Sequence, residues 1–342
     1  MKLMMLKGVC SAIGLMAALS VSAGEQIDRS IEANPNGYVE IEHVNGKAEI
    51  KGWDKSQVQV KGELGENTER FVFERRGNEV LIKVKVKNSR KHSSRWGNDN
   101  EDELIIFVPH QSRINYTAVN ADVRLGDIKG GTNAQTVNGE IDAQQLSGRV
   151  RLESVNGDIN ADALKGDVTI ETVNGDIRSQ STKGREDAYK SVNGDIKVTS
   201  SSKELRVTTV NGDVTLAMQK ITYANLETVN GELKMALALA KGGELQATTV
   251  GGEINLNFAP DVSALFDIRA HAGGKIVNRL THDKVQKDKY GPSSWLATSI
   301  GQGQGKVSVS TVNGRVSISK GRANKKCTTD AGTKVVHELT NI

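Results

Sequence analysis

The side chains best placed to do chemistry form a column of carboxylates. Glu140, Asp158, Asp176, Asp195, Asp213, Glu232 and Glu253 recur at intervals of 18, 18, 19, 18, 19 and 21 residues. Paired carboxylates can cleave glycosidic bonds when their surroundings push their pKa values apart. Oxygen ligands in a row can also bridge calcium. The plainer reading is turn-favouring acids at solvated corners. If successive repeats stack, neighbouring carboxylates lie about 5 Å apart. Their repulsion in water is then only ~0.9 kcal/mol, which exposure and salt make tolerable. The Gly-Gly-x-Gly-x-Asp nonapeptide of calcium-loaded rolls is absent. Sugar-cleaving enzymes also use aromatic platforms, and from 117 to 258 the only aromatics are Tyr189, Tyr223 and Phe258. The expectation is therefore an acidic column with no catalytic residue, no cofactor and no metal.

Other chemistry is weaker still. The histidines His43, His92, His110, His271, His282 and His337 lack the spacing of helix-borne zinc ligands. No G-x-S-x-G elbow occurs. Gly301 to Lys306 imitates a phosphate loop, but no Ser or Thr follows the Lys, and Val307-Ser308-Val309 reads as strand. A column of Thr136, Ser154, Thr172, Ser191, Thr209, Thr228 and Thr249 raises ice binding. The residues before it (Gln135, Glu153, Glu171, Lys190) break the exposed Thr array that a flat ice face needs.

The elements that position these columns follow from a repeat. Val-Asn-Gly-Asp/Glu tetrads or close variants start at Val119, Val137, Val155, Val173, Val192, Val210, Val229 and Val250, with outlying copies at Val44 and Val312. A half-repeat falls between them, as in Leu146-Ser147-Gly148 and Leu164-Lys165-Gly166. Each unit is thus two short strands with a Gly-containing corner after each. Within one unit, Val150, Leu152, Val155, Ile159, Ala161 and Leu164 read as a buried face alternating with polar residues. No proline interrupts the chain between Pro109 and Pro260, as continuous ladder pairing requires. Asn-Gly also signals hairpins, so a meander competes with a solenoid. The solenoid explains more, because stacking alone keeps both corners in phase. It places Asn138, Asn156, Asn174, Asn193, Asn211 and Asn230 above one another as a structural ladder. Gly251 breaks that column.

The expected fold is all-β: a single-domain β-solenoid with coils of about 18 residues, preceded by a strand-rich N-terminal cap. Residues 1–23 read as a signal peptide, with Lys2 and Lys7, a short apolar run and Val21-Ser22-Ala23. Residues 37–116 are the strand-rich region, 117–258 the regular repeats, 259–320 irregular coils of the same domain, and 321–342 a polar tail. Residues 89–103 read as a solvated loop, with Arg90, Lys91 and Arg95 followed by Asp99, Glu101, Asp102 and Glu103. Without Lys2 and Lys7, the 45 basic residues become 43 against 41 acidic ones, which argues against nucleic-acid binding. The mature chain holds no stretch long enough to span a bilayer. Cys327, its single cysteine, cannot form an internal disulfide and reads as a bystander in the tail.

Several motifs together resemble the bacterial putative-adhesin family of domains of unknown function. They are Val44-Asn45-Gly46, Gly52-Trp53-Asp54, Phe107-Val108-Pro109, the Val-Asn-Gly-Asp-Ile repeats, and Gly301 to Gly305 before Ser310-Thr311-Val312-Asn313-Gly314. The resemblance covers about residues 37 to 320. It implies an extracytoplasmic β-solenoid with no established chemistry and no catalytic residues to carry over. The functional expectation is a non-enzymatic structural, adhesion or interaction module of the cell envelope, exported to the periplasm or to the cell surface, or secreted. Its partner would be an envelope or extracellular protein or glycan. The alternative is a polysaccharide-acting enzyme on a β-helix scaffold.

Overall fold

The structure, a computed structural model, describes residues 25–87 and 101–321. The expected leader, Arg90, Lys91, Arg95 and Asp99 of the polar loop, and Cys327 with residues 322–342 lie outside the described residues. Every helix or strand element among the described residues is a strand.

Strict alternation explains why. In Ser147–Asn156 the side chains of Val150, Leu152 and Ser154 turn inward while Arg151, Glu153 and Val155 turn outward. Each such strand pairs in parallel with the segment one repeat later: Val150 faces Val168, Leu152 faces Ile170 and Asn156 faces Asn174. A second track does the same, with Ile159 beside Ile141 on one side and Ile177 on the other. Identical phases therefore meet, and inward columns form without any long-range instruction beyond the period. One column runs Ile141, Ile159, Ile177, Ile196, Val214, Leu233 and Ile254, all at most 1% exposed. Another varies in size: Tyr116, Ala134, Leu152, Ile170, Tyr189, Val207 and Leu226. The small Ala134 lies beside the large Tyr116, which keeps the interior filled.

The stack begins earlier than residue 117. Tyr38–Trp53 pairs along its length with Arg113–Gly126, with Val39 facing Ile114, Asn45 facing Asn120 and Ile50 facing Leu125. On the far side of Tyr38–Trp53, its two halves carry separate antiparallel pairs. Glu79–Val86 joins the first half and is covered by Thr68–Arg76. Asp102–Pro109 joins the second half and is covered by Gln57–Leu64 and then Glu25–Glu32. These outermost strands are rich in charge, as exposed edges require.

At the other end the chain leaves its own order. Gly305–Thr311 pairs in parallel with Glu232–Thr249 on one side and Ala264–Ala270 on the other. Arg315–Lys320 likewise lies between Glu253–Phe258 and Lys275–Arg279. The last described coil thus sits between two coils that precede it in sequence. Lys306–Glu244 and Arg315–Glu253 ion pairs, at 3.4 and 3.5 Å, sit on its register.

The corner glycines make the tight stack possible. A Cβ on Gly212 would lie well inside 3 Å of the Gly194 carbonyl, and one on Gly231 would strike Gly212 in the same way. Their φ angles of 135° and 123° are also hostile to other residues. The positive φ at these corners falls on the glycine and not on the Asn before it. Gly212→Ala should destabilise by about 2–4 kcal/mol through backbone collision and φ strain. Gly126→Ala, where a Cβ meets nothing within 4 Å, should change stability by less than about 0.5 kcal/mol. Urea unfolding midpoints of the two variants test this, and equal midpoints would remove the collision argument.

Candidate functional site

The tetrad and the residue before it lay four parallel stripes along the stack, three on the surface and one buried. Asn side chains form the first. Asn120 Nδ2 donates to Asn45 Oδ1 at 2.9 Å, and Asn138, Asn156 and Asn174 continue at 2.7, 2.8 and 2.8 Å. Asn193, Asn211 and Asn230 extend it at 2.9, 3.0 and 3.1 Å. All seven bonds run the same way, each amide donating to the coil before it. Gly251 leaves a gap there, flanked by Asn230 and Asn313.

The acidic column is a second ladder. Asp158 Oδ1 accepts the Asp176 backbone N–H at 2.8 Å, Asp176 that of Asp195 at 3.0 Å, and Asp195 that of Asp213 at 2.8 Å. Asp213 accepts from Glu232, and Asp122 from Glu140, at 2.8 and 3.0 Å. These acids therefore satisfy backbone donors of the next coil, a role beyond favouring turns. Arg178 spans Asp158 and Asp176 at 3.2 and 2.7 Å, which relieves their repulsion.

The valines form the third stripe, and they correct the sequence reading of Val155 as buried. Val119, Val137, Val155, Val173, Val210, Val229, Val250 and Val312 are 37–45% exposed. Alternation takes the preceding residue inward, so the fourth stripe, Thr136, Ser154, Thr172, Ser191, Thr209, Thr228 and Thr249, is buried. The hydroxyls of Thr136, Ser154 and Thr172 find backbone acceptors at 3.2–3.3 Å, whereas those of Ser191 and Thr209 are buried without a partner among the described residues. A buried row presents no Thr face to ice.

Sequence reasoning missed two buried acids. Asp102, assigned to a solvated loop, starts a strand and is 3% exposed. Its Oδ1 accepts from Gly65 N at 2.7 Å and Thr68 Oγ1 at 2.8 Å. Its Oδ2 lies 3.4 Å from His43 Nε2, and His43 Nδ1 lies 3.2 Å from the Tyr116 hydroxyl. Burial pushes the Asp102 carboxyl up, but the imidazole and the two donors outweigh it and hold it below its ordinary range. This carboxylate–imidazole–phenol series has the residue types of a proton relay. All three side chains are buried, so it pins the cap to the stack rather than meeting a reactant. Asp187 is the other. It points into the core where neighbouring coils carry Val168 and Leu205. Thr182 and Ser200 hydroxyls donate to its Oδ2 at 2.8 and 2.6 Å. Burial raises its pKa above 3.8 against those hydrogen bonds. Alternation placing an acid on the inward phase was the signal available for Asp187; no local signal marked Asp102.

A groove of about 530 Å³ lies where the cap meets the stack, lined in part by Lys47, Glu49, Glu103, Asp122, Arg124, Glu140 and Asp142. Burial first, then the charges of Asp142, Asp122 and Asp158, raise the Glu140 pKa, while an Asn160 amide bond opposes them. Among the described residues no three His, Cys, Asp or Glu side chains cluster tightly enough to hold a metal ion. No described helix is long and apolar enough to cross a membrane.

Parallel stacking in register, amide and carboxylate ladders and charged outer strands define an all-β repeat protein that displays one surface pattern many times. The chain belongs to the Toastrack DUF4097 family, which it matches over residues 38–319. Similar solved structures include a putative lipid binding protein from Parabacteroides distasonis, 15% identical, covering 87% of this chain and 98% of that one with a TM-score of 0.44. A putative adhesin from Bacteroides fragilis is 13% identical over 86% and 97% of the two chains, TM-score 0.34. A putative cell adhesion protein from Clostridium sporogenes is 10% identical over 87% and 100%, TM-score 0.21. These likenesses are too loose to carry function across. No curated protein matches the chain.

Asn174→Leu removes two rungs of the amide ladder and should lower stability by about 1–2 kcal/mol; an unchanged thermal midpoint would make the ladder decorative. Asp187 behaves differently with pH. Its raised folded-state pKa means its contribution is full below pH 3.8 and is lost as pH rises through the raised value. Asp187→Asn should therefore be more stable than wild type at pH 8, by on the order of 1 kcal/mol. That gap should close toward pH 4, and thermal melts that show it widening in acid would overturn the assignment.

Proposed function

We propose that this chain is an exported, non-enzymatic β-solenoid acting as an adhesion or interaction module of the bacterial cell envelope. The observation that carries the reading is the equivalence of its surface columns. Asp158, Asp176, Asp195 and Asp213 repeat on adjacent coils, and each accepts the same kind of backbone bond from the next coil at 2.8–3.0 Å. Catalysis needs one unique constellation, whereas binding along a rod gains from repetition. In this reading residues 1–23 are removed on export, 37–116 supply the cap and the first coil, 117–258 the regular rod, and 259–320 its irregular end. The partner is an envelope or extracellular protein or glycan, and the charge balance argues against nucleic acid.

One feature favours the rival enzyme reading: Glu140, with a raised pKa beside Asp122 and Asp142 in a groove, has the environment of a general acid. A single experiment separates the two. Asp158, Asp176, Asp195 and Asp213 are changed to Asn singly and together, Glu140→Gln is made alone, and retention on the cell's own envelope fraction is measured alongside release of soluble sugar. Retention should fade gradually with the number of Asp replacements, with no sugar released. Sugar release abolished by Glu140→Gln alone would overturn the module and establish the enzyme. Recovery of the uncleaved chain from the cytosol would remove the export claim.

A further inference from the structure

The amide ladder has a direction. Each Asn from Asn120 to Asn230 gives its Nδ2–H to the preceding coil. Aligned amide dipoles add and polarise one another, as they do along a helix. The N–H end of this chain of dipoles is Asn45, whose Oδ1 is taken by Asn120. Its own Nδ2 has no hydrogen-bond partner among the described residues. That end faces a pocket of about 240 Å³ whose lining includes Asn45, Asn67, Thr68, Glu101, Asp102 and Asn120.

The pocket's chemistry is contradictory for most ligands. The unspent Asn45 N–H asks for an acceptor, yet the carboxylates of Glu101 and Asp102 repel an anion. Asp102 is buried and already holds Gly65 N and Thr68 Oγ1, so it adds little room for a cation. Behind it, the buried His43 Nε2 lies 3.4 Å away and completes no hydrogen bond. Hydroxyl groups resolve the conflict, because each is donor and acceptor at once. A hydroxyl oxygen can take the Asn45 N–H while a neighbouring hydroxyl donates to Glu101. The volume is below that of a drug-sized site and is of the order of one sugar ring.

We propose that the pocket at the head of the amide ladder binds a neutral, hydroxyl-rich ligand, one terminal sugar unit of a glycan, with Asn45 as donor and Glu101 as acceptor. The inference rests on the interaction-module reading and names a partner class for it. With no aromatic ring among the lining residues, a single sugar should bind in the millimolar range.

The test uses the purified full chain and NMR of its side-chain amides. Glucose, galactose and N-acetylglucosamine are titrated as probes, with glucuronate as the anionic control and spermidine as the cationic one. At least one neutral sugar should shift the Asn45 amide saturably. Asn45→Asp should weaken that binding about tenfold or more. Glu101→Gln, at an exposed position where folding is not at stake, should weaken it several-fold. Thermal melts of both variants establish that they are folded. Absence of any saturable Asn45 shift with all three sugars overturns the proposal. So does tighter binding of glucuronate or spermidine, or sugar binding that neither variant alters. If the pocket fails while envelope retention persists, the module reading stands without it. If a bound sugar is consumed, the pocket stands and the non-enzymatic reading falls.

Discussion

Everything in this molecule depends on how closely one coil lies on the next at the tetrad corner. Gly157, Gly175, Gly194, Gly212 and Gly231 each sit where a Cβ would strike the carbonyl of the glycine one coil before. The same corner carries backbone bonds from Gly157, Gly175 and Gly194 to the Asn carbonyl of the following coil at 3.0–3.1 Å. A larger residue would separate the coils there and break those bonds together with the side-chain ladders beside them. The glycine is thus the term on which the parallel spacing of both tracks rests.

Once the corner is fixed, its neighbours have few choices. The residue before the glycine can reach only its counterparts above and below, and an amide is the side chain that donates and accepts along that line. The residue after it lies beside the next coil's N–H, and a short carboxylate accepts that donor. Stacking equal charges has a cost, small because the column is solvated and reduced where Arg178 bridges two members. The half-exposed valines complete the strip. Structural and display roles are thus carried by the same four residues, and a surface that repeats for mechanical reasons becomes a multivalent one.

The ends depart from this uniformity, and the unique chemistry is there. At the N-terminal junction, two antiparallel pairs meet a parallel coil, and Asp102, His43 and Tyr116 tie them together inside. The same junction holds the acidic groove and the head of the amide ladder. At the opposite end, insertion of the last described coil between two earlier ones ties the chain back into the stack, and the coil beyond is covered on its first track by the antiparallel strand Ser294–Ile300.

The sequence by itself determined the strand content, the period, and the Asn and acidic columns. In a parallel stack the partner of a residue is its own counterpart one repeat on, so a local pattern already specifies the long-range contact. Alternation carried through residue by residue would also have turned Ser154 inward and Val155 outward. Tertiary structure alone decided three things. It placed Arg315–Lys320 between Glu253–Phe258 and Lys275–Arg279. It buried Asp102 against His43, 59 residues away in sequence. It also aimed the free end of the amide ladder into a pocket made by the cap. Each joins segments that share no period, so which of them meet depends on how non-repeating strands pack and on which edges remain to be paired.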